Sequence, residues 1–176
     1  MRRTASLTAG AALLLLAACQ PSTKPQPLTA ADSTAITKLA SDYAEAWNKG
    51  NVDGVVSLYV ADAVLQIADT VALKGTNAIR TYLNSALGTP TRPALAIEIS
   101  SMVGRQDLAV NAGTFTLTPP APPAPAKGAA PAAPPPMAGK WLNSLMRQAD
   151  GGWKIALEAY SFDAPMPAPV AAKGRH

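Results

Sequence analysis

The chain has 176 residues, among them 17 prolines, 12 glycines and one cysteine, which suits one small domain once any processed segment is removed. The lone cysteine excludes a disulfide framework and a thiolate metal cluster, and the single histidine, His176, ends the chain, so we predict no metal site, no cofactor and no histidine catalysis. The formal charge of +4 does not indicate nucleic acid, because residues 29–163 carry ten Lys and Arg against eleven Asp and Glu.

The first 18 residues predict a signal peptide of the lipoprotein kind. Arg2 and Arg3 precede an apolar run over residues 7–18, which as a helix spans about 18 Å, too short for the roughly 30 Å of bilayer hydrocarbon. The letters LAAC that end at Cys19 resemble the lipobox of bacterial lipoproteins, which implies cleavage before Cys19 and its lipidation. Gln20 follows in place of Asp, which by the same resemblance favours the outer membrane. We therefore expect a protein of the bacterial cell envelope, anchored to the membrane by lipid and facing the periplasm.

Three helices are expected after a flexible tether over residues 19–28. Thr29 begins the first helix with a capping-box pattern, and Gly50 ends it. Five residues of this helix fall on one stripe at helical spacing, namely Ile36, Leu39, Ala40, Tyr43 and Trp47. Asn51 caps a short second helix, and a third runs over residues 75–87 to Gly88.

Strands make up most of the remaining domain. Alternating apolar residues and turn signals predict strands over residues 62–67, 95–100, 108–118, 140–149 and 153–162, in an element order that we write ααβαβββ. A loop rich in Pro and Ala over residues 119–136 holds nine of the 17 prolines and is read as an insertion between two strands. The domain therefore covers residues 29–163, followed by a disordered tail over residues 164–176.

Residues 43–64, YAEAWNKGNVDGVVSLYVADAV, resemble the opening of the nuclear transport factor 2-like superfamily in its SnoaL-like and ketosteroid-isomerase-like branch. Shorter pieces continue the resemblance in order up to residue 163, beginning at Gly75, Asp107, Gly139 and Asp150. The resemblance implies an α+β fold in which a cone-shaped, curved sheet, mixed or antiparallel, wraps around three helices. It also implies an apolar pocket at the wide end of the cone.

The catalytic residues of the steroid-isomerase branch are only partly matched. That branch uses a tyrosine on the first helix, a basic aspartate on the first strand and a protonated aspartate on a late strand. Tyr43 matches the tyrosine, but the two carboxylate positions fall on Ile67 and Ser144. The resemblance thus gives no support to isomerase chemistry at these positions, and the catalytic residues stay unassigned.

Candidate pocket residues follow from strand alternation. Leu142, Ser144 and Met146 share one face of their strand, and Leu157, Ala159 and Ser161 are the matching set on the last strand. The remaining candidates are helix and first-strand residues, namely Tyr43, Trp47, Tyr59 and Ile67, although core packing alone also explains Tyr43 and Trp47. The same alternation places Glu98 and Glu158 on the faces opposite the pocket.

Three functions stay open. The leading one is an envelope lipoprotein whose pocket binds a small hydrophobic or aromatic molecule without catalysis. The second is an enzyme of the cyclase or isomerase type that uses Tyr43 and Ser144 as donors, with Asp69 or another carboxylate as base. The third is a structural module of the envelope that meets a partner through its sheet face or its Pro/Ala loop, and the sheet face is also where a homodimer is expected.

Overall fold

The computed structural model describes residues 25–89, 91–121 and 134–164. The predicted signal peptide, Cys19, most of the Pro/Ala loop and the tail from residue 165 lie outside this part of the chain. Among the described residues, no helix has both the length and the apolar character that a membrane span requires.

Three helices form where the sequence predicts them: α1 (Ala30–Asn48), α2 (Val52–Ser57) and α3 (Gly75–Leu87). At the start of α1, the Thr29 hydroxyl accepts a hydrogen bond from the backbone N–H of Asp32, whose carboxylate accepts one from the Thr29 N–H, a capping box. Gly50 follows α1 with a positive φ of 67°, which lets the chain turn at once into α2.

Six strands form one sheet: β1 (Tyr59–Ile67), β2 (Leu73–Lys74), β3 (Ala94–Arg105), β4 (Leu108–Thr118), β5 (Met137–Arg147) and β6 (Trp153–Phe162). Their spatial order is β2-β1-β6-β5-β4-β3. Neighbours are antiparallel except β1 and β6, which are parallel. The α+β class with a curved mixed sheet is confirmed. The predicted order ααβαβββ is wrong in two respects, because it lacks β2 and has three strands after α3 where the structure has four.

The helices pack on one side of the sheet, which we call the inner side. Along β4 and β5 the buried residues are the odd-numbered ones, such as Ala109 and Leu145, and the exposed residues are mostly even-numbered. Asn48 at the end of α1 fixes the helix to β3, because its side chain accepts from the Leu95 N–H at 2.7 Å and donates to the Leu95 carbonyl at 2.9 Å. The inner side is therefore a core at one end and, between α1, α3 and the strands, an open cavity.

A β-bulge in β6 reverses the alternation of that strand. Ser144 pairs with Leu157, but the next residue of β5 pairs with Ile155, so Ala156 is an extra residue without a partner. Side chains after the bulge have the opposite phase from that expected of an unbroken strand. As a result Glu158 lies on the inner side, like Ile155 before the bulge.

Asp32 joins the start of α1 to the β5–β6 hairpin. Its carboxylate accepts hydrogen bonds from Thr29, from the Arg147 guanidinium and, at 3.4 Å, from the Trp153 indole N–H. The hydrogen bonds from Thr29 are the largest cause of a pKa well below the ordinary aspartate value. Just before the helix, Pro27 bridges to Arg105, so the end of the expected tether is held against the sheet.

Candidate functional site

A cavity of about 370 Å³ opens between α1, α3 and the inner side of the sheet. Its walls are mainly aliphatic and aromatic side chains, with a few polar groups among them. The lining residues are Leu39, Ala40, Tyr43 and Trp47 of α1; Ile67 and Thr70; Tyr82 and Ala86 of α3; and Pro93, Leu95, Ile97, Phe115, Leu117, Met137, Trp141, Asn143, Ile155, Glu158, Tyr160 and Phe162.

Aromatic rings supply much of this wall. Phe115, Tyr160 and Phe162 form a cluster of edge-on contacts with centroids 5.4 to 6.1 Å apart. The indole N–H groups of Trp47 and Trp141 are bound to backbone carbonyls at 3.1 and 3.0 Å. Both indoles have thus used their only donor, and what they offer the cavity is apolar surface.

Glu158 places a carboxyl group in this apolar wall. The side chain is buried, and the hydroxyl of Tyr59 donates a hydrogen bond to its Oε2. The Tyr43 hydroxyl donates to Oε1 at 3.5 Å, and the two tyrosine oxygens lie 3.4 Å apart. Two tyrosines and one carboxyl therefore form a polar cluster that reaches the cavity through Tyr43 and Glu158.

Burial controls the protonation of this cluster. It raises the pKa of Glu158 from its ordinary value of 4.5 to about 7, against the hydrogen bonds from Tyr59 and Tyr43, which lower it. Burial, together with the nearby Glu158 carboxylate, also raises the pKa of both tyrosines well above 10. At neutral pH the tyrosines are donors, and Glu158 is present in both its acid and its base form, so its pKa suits a general acid or base at that pH.

Two asparagines extend the polar group along the sheet. Asn143 on β5 lies opposite Glu158 on β6, and Asn111 on β4 lies opposite Asn143. Asn111 is fully buried, and neither its amide nitrogen nor its amide oxygen has a hydrogen-bond partner among the described residues. The Oδ1 of Asn143 also lacks one.

A second pair of hydroxyls lies on the α3 side of the cavity. The oxygens of Tyr82 and Tyr160 are 2.5 Å apart, and burial raises the pKa of Tyr82. This pair bridges α3 and β6 across the cavity wall.

The predicted pocket residues divide into two groups. Tyr43, Trp47 and Ile67 line the cavity, and Tyr59 lies buried behind Glu158. The other six lie together on the outer side of the sheet, where register joins Ser144 to Leu157, Leu142 to Ala159 and Lys140 to Ser161, beside Met146.

The assignment of those six residues to the pocket is therefore corrected. On β5, Leu142 and Met146 are 42% and 47% exposed, whereas Trp141 and Asn143 face inward. A strand that carries apolar residues on both faces leaves its phase open in the sequence. On β5 the odd-numbered residues face the cavity, so the prediction that the even-numbered ones do is wrong.

The placement of Glu158 is corrected as well. Unbroken alternation put it opposite the pocket, and the bulge at Ala156 turns it inward. No glycine marks this bulge; the one available signal was a glutamate between Leu157 and Ala159, in the middle of an apolar strand. Glu98, by contrast, is exposed as expected. Asp69 lies in the exposed turn after β1 and does not line the cavity, so the base named with Ser144 is not at this site.

Glu158 is the one carboxyl group among the cavity residues that the structure describes. Within residues 25–89, 91–121 and 134–164, no three His, Cys, Asp or Glu side chains come close enough to ligate one. The polar chemistry of the site rests on hydroxyl, amide and carboxyl groups.

A sequence profile described as the SnoaL-like domain matches residues 40–154. No curated protein matches the sequence. This stretch contains all of α2, β1 to β5 and α3, and the cavity residues that they supply.

Solved structures share the architecture. A ketosteroid isomerase-like protein from Erwinia carotovora atroseptica SCRI1043 is 24% identical, with a TM-score of 0.62 over 78% of this chain and 100% of that chain. A protein of unknown function with a cystatin-like fold from Nostoc punctiforme PCC 73102 is 19% identical, with a TM-score of 0.63 over 80% and 97%. An NTF-2 like protein of unknown function from Shewanella oneidensis MR-1 is 16% identical, with a TM-score of 0.58 over 73% and 98%. At these identities the similarity shows a common fold.

Proposed function

This chain belongs to the family of SnoaL-like domains, within the nuclear transport factor 2-like superfamily that its sequence resembles, and we propose that its cavity binds a small hydrophobic or aromatic molecule. The observation that carries the proposal is a cavity of about 370 Å³ whose wall is aromatic and aliphatic around a few convergent polar groups. This size and composition are those of small-molecule sites, in which apolar walls supply affinity and polar groups set orientation.

The polar groups determine the orientation of the bound molecule in the cavity. Tyr43, Asn143 and Glu158 all belong to the lining, so a ligand that carries an oxygen at one end loses least solvation when that end faces them. The apolar remainder then packs against Trp47, Trp141 and the aromatic cluster.

Cavity filling tests this proposal. Native mass spectrometry of the purified protein would detect a retained small molecule, and the expected result is a bound mass that Ala86→Phe removes, because Ala86 lines the cavity. Ser85→Phe is the matched control, since Ser85 neighbours Ala86 on α3 but is exposed. Equal retention in both variants would contradict binding in the cavity.

Acid–base catalysis is the second candidate, and Glu158 is the observation that favours it. Ile67 and Ser144 stand at the two carboxylate positions of the steroid-isomerase branch and cannot replace those carboxylates. Glu158 supplies one carboxyl from another strand, in contact with Tyr43. A base that titrates near neutral pH beside a tyrosine donor is able to move a proton next to a ligand carbonyl. The test is hydrogen–deuterium exchange at the carbon next to the carbonyl of 2-tetralone, an apolar ketone, with Glu158→Gln as the variant and Glu98→Gln as the control. Exchange that is fast in the wild type and in the control but lost in Glu158→Gln would favour an isomerase type of activity over binding alone.

We also propose that the protein acts at the cell envelope, held by a lipid on Cys19 in the outer membrane and facing the periplasm. The support is the sequence LAAC behind a short apolar run. The exposed apolar residues of the outer sheet side, Val103, Leu108, Leu142 and Met146, support a homodimer through the sheet face or contact with an envelope partner.

A further inference from the structure

Asn143 and Asn111 face each other across β4 and β5 on the inner side of the sheet. Only Asn143 belongs to the cavity lining, while Asn111 lies one strand further in and has no exposed surface. Asn143 in turn lies opposite Glu158. The three side chains form a row across adjacent strands that begins at the cavity and ends in the core.

The amide groups of this row are not satisfied by the protein. Asn111 Nδ2, Asn111 Oδ1 and Asn143 Oδ1 are buried and have no partner among the described residues. A buried polar group that is left unpaired destabilises the folded state, and such groups are rare in folded proteins. Two apolar residues at these positions would leave no buried polar group unpaired. The presence of the amides therefore indicates a role other than packing.

The two asparagines cannot satisfy each other completely. One mutual hydrogen bond uses a single donor of one amide and the carbonyl of the other, and each amide has two donor hydrogens and an oxygen that accepts two bonds. Capacity therefore remains, and Asn143 is the member of the pair that lines the cavity. Its oxygen is unpaired and buried where the structure places it. Once the amide turns this oxygen to the cavity, it needs a donor, which a ketone, an ether or a hydrocarbon does not have.

We propose that Asn143, with Asn111 behind it, is the subsite that binds a hydroxyl group on an aromatic ligand. No hydrogen bond from the described residues holds the Asn143 oxygen in place, so on binding the amide turns this oxygen to the cavity. The ligand O–H donates to it, while the Asn143 NH₂ group turns toward Asn111. This inference rests on the proposed binding function and deepens it, because it names the ligand class as hydroxyaromatic rather than merely apolar.

Two probes of nearly equal shape separate the subsite from the cavity itself. The probes are 4-phenylphenol, which carries the donor, and 4-methylbiphenyl, in which a methyl group replaces the hydroxyl. Binding is followed by tryptophan fluorescence, because Trp47 and Trp141 line the cavity. We expect the wild type to bind the phenol about tenfold more tightly, and Asn143→Leu to bring the ratio close to one while 4-methylbiphenyl still binds.

Each outcome decides one question. An unchanged preference for the phenol in Asn143→Leu would overturn the subsite and leave the cavity proposal standing, whereas failure of both probes to bind the wild type would overturn both. If Asn143→Leu does not fold, the side-chain amide signals of wild-type Asn143 in ¹⁵N NMR spectra serve instead. They should move with 4-phenylphenol and not with 4-methylbiphenyl, and equal shifts with both probes would refute the proposal.

Discussion

Tyr59 on β1 donates a hydrogen bond to the carboxyl of Glu158 on β6, 99 residues further along the chain. The two strands are parallel neighbours, and the contact forms because the bulge at Ala156 turns Glu158 inward. A buried carboxyl that would be costly in an apolar wall is thereby given a donor. The arrangement makes both stability and the chemistry of the cavity depend on the protonation of one residue.

The first prediction concerns the pH dependence of stability. The pKa of Glu158 is about 7 in the folded protein and near 4.5 when unfolded, so the folded state holds the proton more tightly. The stability that comes from the neutral carboxyl is full below about pH 4.5 and is lost as the pH rises through 7, by about 3 kcal/mol in total. Glu158→Gln should remove this loss, so that the variant gains on the wild type between pH 5 and pH 8.

Urea unfolding at several pH values between 5 and 8 measures this difference. Glu98→Gln is the control, because Glu98 is exposed on β3 and should leave the wild-type pH dependence unchanged. Parallel stability curves for the wild type and Glu158→Gln would show that the carboxyl does not titrate in this range.

The second prediction concerns the tyrosines around that carboxyl. Hydrogen bonds from Tyr59 and Tyr43 lower the pKa of Glu158, so Tyr59→Phe should raise it further. Tyr43→Phe should raise it less, because the oxygens are 3.5 Å apart in that contact. The pKa is measured from the ¹³C chemical shift of the Glu158 carboxyl. Tyr82→Phe is the control, because the Tyr82 hydroxyl pairs with Tyr160, and a shift there as large as in Tyr59→Phe would contradict the assignment.

The sequence predicts the helices well because their signals are local. The stripe from Ile36 to Trp47, the cap at Thr29 and the stop at Gly50 all act within a few residues, and α1 forms where they indicate. The phase of a strand is different, because a partner strand decides it. Ala156 is an extra residue only with respect to β5, so the inward position of Glu158 could not be derived from β6 alone. The unpaired amides of Asn111 and Asn143 likewise became visible only once register placed them opposite each other.

The third prediction concerns the lipid anchor. If Cys19 carries the lipid, Cys19→Ser should move the protein from the membrane fraction to the soluble fraction of an expressing bacterium, because serine lacks the sulfur to which the lipid is attached and the anchoring depends on the acyl chains. Detergent-phase partitioning and the mass of the mature protein measure the change. A serine variant that stays in the detergent phase, with no acyl mass on the wild type, would contradict the lipoprotein assignment.

The fourth prediction concerns the outer side of the sheet. Leu142 and Met146 are 42% and 47% exposed there, so replacing both with Lys should cost little stability in the monomer but place two charges in any interface on this face. Sedimentation analysis should show dimer dissociation shifted about tenfold or more toward the monomer. Thr114→Lys places one charge on the same side of the sheet and should shift the dissociation less than the double replacement does. If the double replacement of Leu142 and Met146 leaves dimer dissociation unchanged, the interface lies elsewhere.

The fifth prediction concerns the connection between β4 and β5. Leu117 pairs with Met137 at the end of the ladder, so Thr118 and Pro136 are the next residues to face each other. Replacing residues 119–135 with Asn-Gly leaves Thr118 opposite Pro136 and keeps the register, because a two-residue turn joins residues that are directly opposed. Shortening the loop also lowers the entropy cost of closing it, and the variant should be as stable as the wild type or up to about 2 kcal/mol more stable.

Removing one more residue gives the matched control. If residues 119–136 are replaced with Asn-Gly, Thr118 faces Met137 and every side chain of β5 is offered to the opposite side of the sheet. That register would expose Trp141 and Leu145, both buried in the wild type, and bring Leu142 inward. We therefore expect the longer deletion to lower the melting temperature by many degrees, or to prevent folding, while the shorter one does not. Equal stability of the two variants would mean that the turn does not set the register of β5, and a loss of stability in both would mean that the loop itself packs on the domain.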